Sequence, residues 1–136
     1  MAWVVDTCVV IDVLENDPEF GLKSARKLQT MMKMGLVLCP VSMVELSPAF
    51  GGNMGTQKEF LDTCGIDYHY PYTLQDTECA HAAWNQYIQA KRKERVGKRP
   101  VADLLIGGFA MRFDGLITRN PSDFTRWYPS LKIVKP

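Results

Sequence analysis

Asp6, Glu45, Asp103 and Asp123 lie far apart in the sequence, yet each stands next to a segment that reads as the end of a strand or the start of a helix. Asp6 directly follows the apolar run Ala2 to Val5. Glu45 falls in the first turn or two of a helix expected after Leu36 to Cys39. Asp103 sits in the first turn of a helix expected from Val101, and Asp123 comes soon after Leu116 to Thr118. Open parallel sheets bind ligands beyond the carboxyl ends of their strands, so these positions share one topological address. Four carboxylates gathered there repel one another unless a cation sits among them. Hard oxygen donors without a soft partner suit Mg²⁺ or Mn²⁺.

Each acid also has a purely structural use. Asp6 can cap the turn that follows it. Ser42-Met43-Val44-Glu45 fits the S-x-x-E capping box, in which the Glu bonds back to the N-cap amide. Asp103 can act as a helix-dipole acid. Asn120-Pro121-Ser122-Asp123 reads as N-cap, N1, N2 and N3 of a short helix.

The elements that would position these acids alternate. Ala2 to Val5, Leu36 to Cys39, Ile66 to Tyr68, Leu116 to Thr118 and Lys132 to Val134 are short and apolar or β-branched, and read as strands. Ser24 to Met34, Val41 to Leu46, Thr56 to Cys64, Leu74 to Arg95 and Val101 to Phe113 read as helices. A parallel crossover must travel back over the sheet, so the alternation predicts a three-layer α/β/α fold around a central, mainly parallel sheet. Pro40 and Pro100 stand where helices begin. Gly51, Gly52, Asn53 and Gly55 form a loop beside the Glu45 helix. No repeat or linker interrupts the chain, and residues 1–136 are expected to form one domain.

Composition narrows the class. The chain has 136 residues, and a fold of that size buries enough surface to need no disulfide or structural metal. A net charge of +1 gives no whole-molecule field, so a polyanionic partner must be met by a local patch. Cys8, Cys39, Cys64 and Cys79 form no C-x-x-C and no zinc-finger spacing, and read as free thiols of a reducing compartment. The start lacks the basic region and cleavage site of a signal peptide, and no apolar run approaches the ~18 residues of a membrane span. A cytoplasmic location without membrane contact is expected.

Val4-Val5-Asp6-Thr7-Cys8-Val9-Val10, Ser42-Met43-Val44-Glu45-Leu46, Ala102-Asp103-Leu104-Leu105-Ile106-Gly107 through Ala110, and Leu116-Ile117-Thr118-Arg119-Asn120 with Asp123-Phe124 resemble, in order and spacing, the four motif blocks of PIN-domain ribonucleases. The similarity is to the VapC-like toxins of toxin-antitoxin pairs, and it covers nearly the whole chain. It implies a PIN-like sheet flanked by helices, an acidic Mg²⁺ or Mn²⁺ site, and hydrolysis of single-stranded or loop RNA to 5′-phosphate and 3′-hydroxyl products. It assigns metal-site roles to Asp6, Glu45, Asp103 and Asp123. It also implies a cognate antitoxin protein and a homodimer. In such a reaction the metal lowers the pKa of a bound water and neutralises the leaving oxygen, so no nucleophilic side chain is needed. Cys8 departs from the Asn or Ser common in the first block. In the last block Asn120 stands where some members carry an acid, leaving Asp123 as the fourth acid and Asn120 as a polar accessory able to orient water.

Lys91 to Arg99 holds six of the 16 basic residues in nine positions, immediately before the Asp103 helix. It reads either as a solvated helix end or as an RNA-phosphate contact through Arg92, Arg95, Lys98 and Arg99. His69 and His81 lie away from the acid blocks and read as structural or surface residues. Trp3, Trp84 and Trp127 read as core or interface anchors rather than base-stacking platforms. The rival functional reading is a PIN-fold binding module without turnover, acting through an RNA or protein partner. A D-x-D phosphatase fails at Cys8, where its second Asp should stand.

Overall fold

The computed structural model describes residues 2–94 and 100–136, the side chains of 92–94 excepted. Five strands, β1 (Trp3–Val5), β2 (Leu36–Val37), β3 (Ile66–Asp67), β4 (Gly115–Ile117) and β5 (Ile133–Val134), form one sheet in the order β3-β2-β1-β4-β5. Every pairing is parallel. The helices are α1 (Thr7–Leu14), α2 (Gly21–Met31), α3 (Pro40–Glu45), α4 (Met54–Thr63), α5 (Leu74–Glu94), α6 (Val101–Ala110) and α7 (Ser122–Thr125), with 3-10 turns at Met32–Met34 and Ser47–Phe50.

Strand side chains alternate between two cores, as a period of two requires. Val4, Val37 and Leu116 pack with Tyr87 of α5 and Leu104 and Phe109 of α6. Val5, Leu36 and Ile117 face the other way, onto Val9 of α1, Leu28 of α2 and Leu61 of α4. The three-layer α/β/α expectation is what the chain adopts.

Strand and helix bounds agree with the sequence reading to within a few residues, apart from α1. Its Val9-Val10-Ile11 run is β-branched and carries low helix propensity. Two things outweigh that: Asp6 caps the first turn, and Val9 and Val10 are buried.

α6, which carries Asp103, is fixed by close approaches. A Cβ on Gly107 would overlap the Tyr128 ring, and one on Gly108 would lie 2.9 Å from the Asp76 carbonyl oxygen in α5. The Tyr128 hydroxyl donates to the Leu104 carbonyl, and that of Tyr72 to the Leu105 carbonyl at 2.8 Å. Among the described residues no helix is long and apolar enough to cross a membrane.

Candidate functional site

β1 has β2 on one side and β4 on the other, so the strand order reverses between β1 and β4. The crevice at such a reversal is where doubly wound sheets hold ligands. Asp6 ends β1 there: its amide donates to the Ile117 carbonyl at 2.9 Å, and its backbone leaves the strand as the extended N-cap of α1. The side chain is held from three sides. Oδ1 accepts the Thr7 amide at 2.8 Å, and Oδ2 accepts the Thr118 hydroxyl at 2.7 Å and the Cys8 thiol at 3.4 Å. Capping and site occupancy are thus combined in one carboxylate.

Burial raises the pKa of Asp6 above the ordinary carboxylate range, the donated hydrogen bonds oppose that rise, and the negative charge of Glu45 adds to it. None of its described hydrogen-bond partners is a cation.

Glu45 reaches the same place by a different route from the one its sequence motif indicates. Pro40 at the first position starts α3 from Cys39, which puts Ser42 inside the helix and Glu45 at its end, so no capping box forms. The Glu45 carboxylate instead accepts the Thr7 hydroxyl at 2.6 Å, and that hydroxyl is also bonded to Ser42 Oγ at 2.9 Å. Thr7 thereby joins the end of β1 to α3.

Cys8 completes the other flank. Its thiol lies 3.9 Å from Thr118 Oγ1 and accepts Asn120 Nδ2 at 3.9 Å. Burial and the neighbouring Asp6 charge push its pKa up to about 11, so without a metal it is a neutral thiol. Asn120 does not cap α7 with its side chain; that helix begins after Pro121.

Asp103 and Asp123 occupy the first turns of α6 and α7, and both line a cleft of about 230 Å³ with Tyr87, Arg126 and Trp127. The structure therefore brings Asp6 to Glu45 and Asp103 to Asp123. Among the described residues no group of three or more His, Cys, Asp or Glu stands close enough to hold a metal ion. The donor set nevertheless fits a hard divalent cation: carboxylate oxygens beside a protonated thiol, with one of the acids buried against another negative charge. Arg95, Lys98 and Arg99, and the side chain of Arg92, lie outside the described residues.

The sequence reading gave no role to the hydroxyls of Thr7, Ser42 and Thr118, nor to the pair formed by Arg119 Nε and buried Asp12 at 3.0 Å. That contact is an ion pair without hydrogen-bond alignment, and the Arg119 guanidinium also lies over the Phe20 ring at 4.7 Å. It ties the segment after β4 to α1. The available signal was adjacency, since Thr7 follows Asp6 and Arg119 follows the residue that ends β4's extension.

No protein-family model matches the chain, and no curated protein matches it in sequence. Among solved structures, a chain in the crystal structure of VapBC2 from Rickettsia felis, bound to a DNA fragment from their promoter, superposes with a TM-score of 0.68 at 14% identity. The match covers 99% of this chain and 98% of that one. At this identity the likeness is one of fold, and it extends over essentially the full length of both.

Proposed function

We propose that the protein is a Mg²⁺- or Mn²⁺-dependent endoribonuclease, the toxin of a toxin-antitoxin pair, with RNA as substrate and a cognate antitoxin as protein partner. The observation that carries this reading is Asp6: a buried carboxylate at the strand-order reversal, bonded to neutral donors and set beside Glu45. Such a charge is costly until a cation arrives. The fold shared with a VapBC2 chain supports the same class.

Asp6 and Glu45 would hold the cation, with Asp103 and Asp123 assigned to the same site by the resemblance of their motif blocks. When bound, the cation supplies a lowered water pKa and charge neutralisation at the phosphodiester. The chain's own part is orientation. Thr118 and the Thr7 amide fix the Asp6 carboxylate, the Thr7 hydroxyl fixes Glu45, and Asn120 stands beside them with an amide able to position water. No side-chain nucleophile is needed.

Incubating the protein with single-stranded RNA in Mn²⁺ tests this. Cleavage to 5′-phosphate ends is expected, with loss in EDTA and in Asp6→Asn and Asp103→Asn. Cleavage at the wild-type rate in EDTA or in either variant would overturn it.

The separation of the acids into two pairs favours one second reading, a PIN-fold module that binds without turnover. RNA binding with no cleavage in Mn²⁺ selects that alternative.

A further inference from the structure

The groups around the Asp6 carboxylate come from two segments. Thr7 and Cys8 open α1, whereas Thr118 and Asn120 belong to the turn that follows β4. That turn closes on itself and on Cys8: the Thr118 hydroxyl accepts the Asn120 amide at 3.1 Å while donating to Asp6, and the Arg119 amide is hydrogen-bonded to the Cys8 thiol. Cys8 and Asp12 stand at i and i+4 of α1, so they share one face of the helix a turn apart. The Arg119 side chain follows this face, bringing Nε to 3.0 Å from Oδ2 of buried Asp12. Its guanidinium lies over the Phe20 ring, and Phe20 is held in turn, since Asp17 Oδ2 accepts the Phe20 amide at 2.8 Å and the Asp17 amide donates to the Asp12 carbonyl at 2.9 Å.

We infer that Arg119, anchored by Asp12 and Phe20, is a positioning residue: it holds the Thr118–Asn120 turn on α1 so that Thr118 orients the Asp6 carboxylate for a divalent cation. The role rests on the cation-site reading above and adds to it a residue that acts through Thr118.

Thr118 needs such an anchor. β4 ends at Ile117, so Thr118 stands beyond the strand, with its amide on the Val134 carbonyl at 3.1 Å. The chain is irregular from there to α7, and the contacts of the Cys8 sulfur with Thr118 and Asn120, both at 3.9 Å, are weak ones. A buried charge pair with an aromatic ring under the guanidinium is the stronger tie. Asp12 Oδ2 and Arg119 Nε make no aligned hydrogen bond, so charge sets their approach and the ring sets the plane of the guanidinium. Loosening that tie frees the turn, and with it the hydroxyl that fixes Asp6.

The test is a Mn²⁺ titration of the metal-free protein without RNA, free Mn²⁺ being read from its electron paramagnetic resonance signal. Asp12→Asn/Arg119→Gln removes both charges, so no buried ion is orphaned. It is expected to raise Kd about tenfold, the lower end for losing a group that orients a metal ligand. Arg119→Lys keeps a cation beside Asp12 and over the ring, and should stay within about threefold of wild type. Phe20→Leu leaves both charges in place and should raise Kd about two- to fivefold, the worth of the lost ring contact; it decides the matter alone if the double variant does not fold. Added to Thr118→Val, the Asp12 and Arg119 substitutions should weaken binding by less than about twofold more, because residues that act through one group are not additive. Arg112→Leu breaks the comparable pair with Asp76, and should lose stability while keeping the wild-type Kd, which separates positioning from general loosening.

A wild-type Kd in both Asp12→Asn/Arg119→Gln and Phe20→Leu, or a second loss of the same size on top of Thr118→Val, overturns the role of Arg119 and leaves the cation site intact. A wild type that binds no Mn²⁺ overturns the cation site and the role of Arg119 together.

Discussion

Asp76 and Asp6 are 1% and 6% exposed, and the fold treats their charges in opposite ways. Asp76 sits at the start of α5 with Arg112 Nε and Nη2 at 3.1 and 3.0 Å, and it exchanges capping bonds with Thr73. Arg112 continues to the Pro71 carbonyl at 2.8 Å and lies over the Phe109 and Phe113 rings. That charge is neutralised from within the molecule and fastens α5 to the end of α6. Buried Asp12 is handled the same way, by Arg119. Asp6, nearly as hidden, accepts an amide, a hydroxyl and a thiol among the described residues, and the negative charge of Glu45 opposes its ionisation. A buried carboxylate with an arginine is architecture; one with only neutral donors among its described partners, at the strand-order reversal of a parallel sheet, is the feature on which the proposed cation site rests.

The contrast predicts separable mutant effects. Arg112→Leu removes the internal counter-charge from Asp76 and should cost about 3 kcal/mol of stability, the lower end of the range for orphaning a buried charge, because Arg112 keeps part of its side chain in solvent. Urea unfolding measures it, and activity per folded molecule should stay at the wild-type level. A loss below about 0.5 kcal/mol would remove the distinction between the two aspartates.

Thr118→Val leaves Asp6 in place without its shortest hydrogen bond. Loss of such a supporting group typically costs 10–100-fold in metal affinity. Titrating Mn²⁺ against cleavage rate should show a rightward shift of that size; an unchanged midpoint would demote Thr118 to packing.

The smallest effect concerns the basic run. Neutralising Arg92, Arg95, Lys98 and Arg99 should lower the log–log salt slope of RNA binding by up to about 0.7 for each phosphate that the run neutralises in the wild type. Unchanged slopes would make the run a solvated surface.

The layout of the sheet was legible because strand composition, strand length and intervening helical periodicity agree along the chain. One local reading failed and one helix went unread, both for want of tertiary information. Val9-Val10-Ile11 masks α1, whose apolar face is stabilised only once the sheet lies beneath it. Ser42-x-x-Glu45 mimics a capping box, but Pro40 fixes the start of α3 earlier in the chain and turns Glu45 toward Thr7. The acids themselves were visible from their places after strands. Their supporting hydroxyl was not: Thr118 meets Asp6 across 112 positions of sequence, and no local pattern encodes that contact.

The most direct measurement is the melting temperature of wild type and Asp6→Asn with EDTA and with Mn²⁺. In the folded protein Asp6 has a raised pKa, so the native state takes up its proton more readily than the unfolded chain does. Ionisation therefore costs stability as pH climbs from the ordinary carboxylate range through the folded value. The neutral isostere escapes it, since its oxygen can still accept the Thr7 amide and the Thr118 hydroxyl can turn to accept from its nitrogen. Asp6→Asn should melt above wild type in EDTA. Mn²⁺ at a hundredfold excess over Kd should stabilise wild type by roughly 2.7 kcal/mol and the variant far less. A variant that melts below wild type in EDTA and keeps the full Mn²⁺ response would contradict the assignment of Asp6 as the uncompensated carboxylate of a cation site.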